Sequence, residues 1–159
     1  MVTLSSCRGS LNADVRQRRM HGFPSSLDLS YLIGRELTYL GLDRHHLYLT
    51  LNGEILSADR RKSGVLDNVV MDSDVKIGIG GGWSLVDNSG AVIDESVEHS
   101  ERRSYQVHVL LGQSLRGYSV VSETTLELVF ESGHCLSLID NSKMYESVTI
   151  AYADTYIVI

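Results

Sequence analysis

The chain has 159 residues, a hydrophobic fraction of 43%, 14 glycines, eight tyrosines, one proline and a formal net charge of −6 at pH 7. That size gives a single domain with a sizeable core, and the apolar content excludes disorder throughout. No run nears the ~20 apolar residues that span a bilayer, and an acidic chain repels phosphate backbones, so neither a membrane nor direct nucleic-acid binding is expected.

Residues 1–25 hold Arg8, Arg16, Arg18 and Arg19 against Asp14 alone, so the acidic excess lies in residues 26–159. The segment has no sustained periodicity and reads as a flexible basic leader in which Met20 offers an internal start. It has no apolar core of signal-peptide length, which makes a cytoplasmic location the expectation.

From Ser26 the chain reads as a segment present twice. Ser26 to Leu37 aligns with Ser104 to Leu115 at a constant offset of 78, with Gly34 answering Gly112. In the first copy Leu29, Leu32 and Ile33 have helical spacing and Gly34 ends the turn. In the second, Tyr105, Val107, Val109 and Leu111 alternate like a strand, so the segment stays ambiguous between turn and strand. Leu37 to Leu42, Leu47 to Leu51 and Gly53 to Ala58 then read as a three-stranded meander with leucines on one face, and Asn52-Gly53 as a two-residue hairpin turn. Leu115 to Val121, Leu126 to Phe130 and His134 to Ile139 repeat it.

The repeats thus run over about 26–59 and 104–139, with 60–103 as a central insertion. Within that insertion Val75 to Ile79 alternates as a strand, and Trp83 to Asp94 reads as a hairpin around Asp87-Asn88-Ser89-Gly90. The apolar strand Thr155 to Ile159 must pair inside a sheet, because an exposed apolar edge invites aggregation. The expected fold is all-β, mainly antiparallel with little helix, the two meanders packed as a sandwich or partly open barrel. Its inward residues are Leu37, Leu47, Leu49, Leu51, Leu115, Leu126, Leu128 and Phe130.

No motif carries chemistry. Gly78-x-Gly80-Gly81-Gly82 has neither Walker spacing nor a following helix signature, and reads as a bulge or close backbone contact. His45-His46, His99, His108 and His134 lack metal-ligand spacing, so no metal and no cofactor is expected. Cys7 and Cys135 read as isolated thiols. Serines occur without a nucleophile elbow. No catalytic residue is assigned, and the balance leans away from an enzyme.

The elements Leu110-Leu111-Gly112-Gln113-Ser114-Leu115, Leu126 to Phe130, Gly133, Cys135 to Ile139 and Tyr145-Glu146-Ser147 resemble a motif of an uncharacterised bacterial family of small duplicated β domains. Gly82 to Gly90 is similar to that family's central hairpin, and the resemblance covers roughly Ser26 to Ile159. Some proteins with this look resemble immunity proteins that neutralise toxins, so the resemblance implies a fold and an inhibitor-like role, and supplies no catalytic residue.

The leading functional expectation is therefore a non-catalytic binding module, an immunity-type inhibitor whose protein partner is a cationic bacterial toxin or effector. Its partner-binding residues would be Asp87, Asp94, Glu95, Glu98 and Glu101 with Trp83, in the region where the repeat symmetry breaks. The alternatives are a small-ligand or nucleotide-binding β protein with a pocket between the repeats lined by Tyr39, Tyr48, Tyr118 and Trp83, and an enzyme of unrecognised type that gathers His and Asp residues by folding.

Overall fold

The computed structural model describes residues 17–19, 22–53, 55–60, 66–71, 73–96, 104–141 and 145–159; at 17–19, 55–60 and 66–71 the backbone alone is described. Thirteen strands occur among these residues, nearly all paired antiparallel. In chain order they are β1 Gln17–Arg19, β2 Leu37–Leu42, β3 Leu47–Leu51, β4 Ile55–Arg60, β5 Leu66–Met71, β6 Val75–Ile79, β7 Gly82–Val86 and β8 Val92–Glu95, then β9 Leu115–Ser122, β10 Thr125–Phe130, β11 Cys135–Ile139, β12 Val148–Tyr152 and β13 Thr155–Val158. A first sheet has the order β1-β13-β12-β6-β3-β2 and a second the order β8-β7-β11-β10-β9, while β4 and β5 form a separate hairpin. The inward residues of both large sheets belong to one hydrophobic core, and the eight positions expected to face inward are all buried.

The apolar alternation explains the layering. Leu40, Leu49, Ile77, Ile150 and Ile157 lie opposite one another across the first sheet, and Tyr118, Leu128, Leu136, Leu85 and Asp94 across the second. A period-two pattern puts such rows on one face of each sheet. Apart from β1, which adds to the edge of the first sheet, each sheet combines three strands from one part of the chain with a two-stranded hairpin from another. β6 runs from the first sheet into β7 of the second, and β11 runs from the second into β12 of the first.

This corrects two expectations. The third strand beside β3 is β6, and β4 leaves the sheet to pair with β5. Asn52-Gly53 therefore does not close a hairpin. Gly53 is absent from the glycines with positive φ, the Asn52 side chain accepts the Glu36 N–H, and the Gly53 N–H donates to Asp74. The segment 60–103, read as a central insertion, contributes β6 to the first sheet and the β7–β8 hairpin to the second.

Both ambiguous segments are 3₁₀ turns, Ser30–Leu32 and Val107–Leu110, closed by Gly34 at φ +83° and Gly112 at φ +78°. Their exits cross. Gly34 N–H donates to the Leu115 carbonyl and Gly112 N–H to that of Leu37; Leu37 N–H donates to Gln113 and Leu115 N–H to Arg35. Each pair of bonds interconverts under the offset of 78, around a single bridge between Glu36 and Ser114.

The sheet-to-sheet connections also cross, and there the glycine cluster is required. The Ser147 carbonyl accepts both Gly80 and Gly81 N–H groups, while the Ser147 hydroxyl donates to Asp140 at 2.6 Å. A Cβ at Gly81 would collide with the Ile139 carbonyl oxygen and lie 3.0 Å from the Ser147 Cβ. The glycines thus mark a close backbone crossing.

Phe23 falls in the segment expected as leader, yet it is 1% exposed within the core and its N–H donates to the Glu123 carbonyl. β1 pairs in parallel with β13, so β13 lies between two strands rather than at an edge. Met20 lies outside the described residues, and among them no helix is long and apolar enough to cross a membrane.

Candidate functional site

The outward faces of the two sheets present different chemistry. On the first sheet one outward row runs Tyr39, Thr50, Lys76, Ala151, Tyr156, and the next runs Gly41, Tyr48, Gly78, Thr149, Val158. On the second sheet the corresponding rows are Gly117, Val129, Cys135, Val86, Val92 and Ser119, Glu127, Ser137, Ser84, Glu95. Two tyrosines that frame the first row are thus replaced by glycine and valine, and the lysine at its centre by cysteine.

The first face is shaped into a groove of about 460 Å³ that crosses all five strands from β2 to β13, with Tyr39, Tyr48, Lys76, Gly78, Thr149 and Tyr156 in its lining. That volume lies within the range of small-ligand sites. Tyr39 is 56% exposed and Tyr48 40% exposed, which is a large aromatic area to leave in water. Tyr39 lies down along the sheet toward Gly41, where a Cβ would come within 2.6 Å of its hydroxyl oxygen. At Gly78 a Cβ would come within 2.7 Å of Thr149 Oγ1, so the missing side chain opens the groove floor between Tyr48 and Thr149. Lys76 is exposed on this floor and makes no ion pair with any described residue.

The β2–β3 turn holds Tyr48 in place. Asp43 accepts the N–H groups of His45 and His46, each at 2.7 Å, as well as the Tyr48 hydroxyl at 3.1 Å. These donations, led by the His45 backbone, hold the Asp43 carboxyl down at about 2. The Tyr48 hydroxyl is raised by desolvation and by its bond to that carboxylate. The His46 ring stacks on Tyr48 at 5.7 Å between centroids. One aromatic wall of the groove is therefore fixed before any ligand arrives.

Of the residues expected to bind a partner, the described ones are placed as follows. Trp83 is 5% exposed and packs in the core. Asp87 closes the β7–β8 turn by accepting from Ser89 N–H, Ser89 Oγ and Ala91 N–H. Asp94 takes an inward position on β8, equivalent to Ile157, and accepts the Gln106 and Val107 N–H groups at 2.7 and 2.8 Å. That anchors the start of the second 3₁₀ turn. Glu95 is exposed on the outward face of β8, whereas Glu98 and Glu101 lie outside the described residues. The pocket expected between the repeats is not formed by its four residues: Tyr39 and Tyr48 line the outer groove, Trp83 is buried, and the Tyr118 hydroxyl is directed to Asp28 at 3.4 Å. The signal for the groove was available as Tyr39-x-Gly41 facing Tyr48, but only the sheet register reveals that Gly78, Thr149 and Tyr156 join them.

Among the described residues no three His, Cys, Asp or Glu groups converge on one point. His46 pairs with Asp43 at 3.2 Å, and His134 with Ser132 at 2.8 Å, each within one turn. Cys135, on the second face, is a free thiol pushed up to about 11 by desolvation and by neighbouring Glu127, the opposite of an activated nucleophile. Comparison of the chain with family models, with curated proteins and with solved structures finds no match.

Proposed function

We propose that the protein is a non-catalytic binding module that holds a ring-bearing ligand in the groove on the outer face of its first sheet. The observation that carries this reading is the contrast between equivalent outward rows: Tyr39, Lys76 and Tyr156 on one sheet against Gly117, Cys135 and Val92 on the other. The core is filled from the inward rows, so the aromatic framing of only one outward face calls for an explanation beyond core packing. The inhibitor of a cationic toxin keeps one support, the acidic balance of residues 26–159. The groove supplies a defined surface with a defined chemistry, and the small-ligand reading rests on it.

The architecture behind the groove is proposed to be an internal duplication folded as a sandwich. In this view the halves are about 26–96 and 104–159, each giving three strands to its own sheet and a hairpin to the other, with β4–β5 inserted into the first half. The bonds related by the offset of 78 support it.

The test is protein-observed NMR with a library of small ring compounds. Binders are expected to move the amide signals of Tyr48, Lys76, Gly78 and Thr149, and the double variant Tyr39→Ala, Tyr48→Ala is expected to lose them while staying folded. Shifts confined to the second sheet, or chemical conversion of a bound compound, would overturn the reading.

A further inference from the structure

Resting on that reading, we infer that the ligand is an extended oligosaccharide carrying a single anionic group, seated across the strands with its acidic sugar over Lys76. Shape comes first. The groove is lined from five strands, about 19 Å at the ~4.8 Å spacing between neighbours, so it suits an elongated ligand better than a compact one. Chemistry comes second. The exposed tyrosine faces offer flat apolar surface to the C–H faces of sugar rings, and the Thr50 and Thr149 hydroxyls stand beside them for sugar hydroxyls. A peptide strand would pair along the free edge of β2 rather than lie over the face, where the strands beneath the groove's centre use their backbone groups in the ladders.

Charge is the third constraint. Lys76 sits in the middle of the central row, between Thr50 and Ala151. One cation matches one carboxylate or sulfate. A densely charged polymer would meet the net charge of −6 with little else to neutralise it, so sparse charge is favoured over dense.

The experiment is titration calorimetry of the full chain with synthetic oligosaccharides of equal length in four series: neutral, with one internal carboxylate, with one internal sulfate, and carboxylated at every ring. One of the two singly charged series is expected to bind most tightly, and comparing them separates the two sources of the anion. Lys76→Ala is expected to weaken that binding about tenfold or more, the scale of a lost charge-assisted hydrogen bond, whereas Lys76→Arg retains it. Tyr39→Ala is expected to weaken every series that binds. Binding of the neutral series as tight as the singly charged ones, unchanged by Lys76→Ala, would overturn the assignment of the anion. No binding of any series by a protein whose groove still takes ring compounds in the NMR test would overturn the sugar class and leave the binding module standing.

Discussion

The two large sheets agree on the inside and disagree on the outside. Inward, Leu49 and Ile77 in the first sheet have Leu128 and Leu136 as counterparts in the second, all buried. Outward, the same strands present tyrosines and a lysine on one sheet, and small, aliphatic or acidic residues on the other. The core can be satisfied by repeating one solution, because burial asks only for apolar volume at alternate positions. An outward face has no such requirement, so what it carries is informative about what it meets. The comparison separates what the two sheets share, apolar rows turned inward, from what they do not, the chemistry of their outward rows.

The largest effect that could break the comparison is in the core. Leu49→Ala and Leu128→Ala are each expected to cost ~2–5 kcal/mol, within about 1 kcal/mol of each other, because both are buried in corresponding rows. Urea denaturation measures it. A tolerated substitution at either one would show that the sheets do not share the core equally. A smaller contrast separates the crossing from the open face. Gly81→Ala is expected to lose ~1–3 kcal/mol through collision with the Ile139 carbonyl, while Gly117→Ala, with nothing within 4 Å of the added carbon, is expected to be neutral or slightly stabilising. Equal melting temperatures for the two variants would remove the steric account of the crossing.

The smallest effect is a pH dependence carried by Tyr31, beside the first sheet. The Tyr31 hydroxyl is buried without a hydrogen-bond partner, and desolvation first, then the Asp28 charge, raises it to about 12 from an ordinary 10. The folded state therefore keeps this proton where the unfolded chain has lost it. Its contribution to stability is complete below pH 10 and is lost as the pH rises from 10 toward 12. Tyr31→Phe is expected to be neutral or slightly stabilising at pH 7, since it removes an unpaired buried hydroxyl, and to flatten the decline above pH 10. An unchanged decline in the variant would assign it to another group.

The legible part of the fold was the part written in local alternation. Leu47-x-Leu49-x-Leu51 and Leu126-x-Leu128-x-Phe130 declared both strand and inward face, and the offset of 78 between Gly34 and Gly112 reappears in the bonds that join the halves. Partnership was hidden, because alternation states which way a side chain points and nothing about which strand lies beside it. Ile55 to Ala58 and Val75 to Ile79 both read as strands and both are strands, yet the second pairs with β3 and the first does not. Tertiary demand is also what turned Val107–Leu110, strand-like by its β-branched residues, into a 3₁₀ turn. The acidic residues misled for a related reason. Composition counts charge, whereas Asp87 and Asp94 spend theirs on backbone N–H groups that no sequence pattern exposes.

Arg35 shows how the excursion of β4 and β5 is secured. It is 2% exposed, and its guanidinium donates to the carbonyls of Asn52 and Ser73, the points where the chain departs from the first sheet and rejoins it. Its ring neighbour is Tyr152 at 5.1 Å, which is itself stacked on Tyr31. At the corresponding place in the second half, where β10 turns directly into β11, the residue is Gln113.

The exchange of hairpins between sheets has a kinetic consequence. Neither sheet has its middle strands in place until Val148–Tyr152 has found Val75–Ile79 and Gly82–Val86 has found Cys135–Ile139. Such distant pairings make folding slow, on the order of milliseconds to seconds for sheets of this kind. During synthesis the strand Val75–Ile79 can pair with Leu47–Leu51, but it and the hairpin that follows are made well before β12 and β11, which cover their other edges. For that interval Ile77, Ile79, Trp83 and Leu85 stand beside an unpaired edge, the kind of transient apolar surface that favours aggregation.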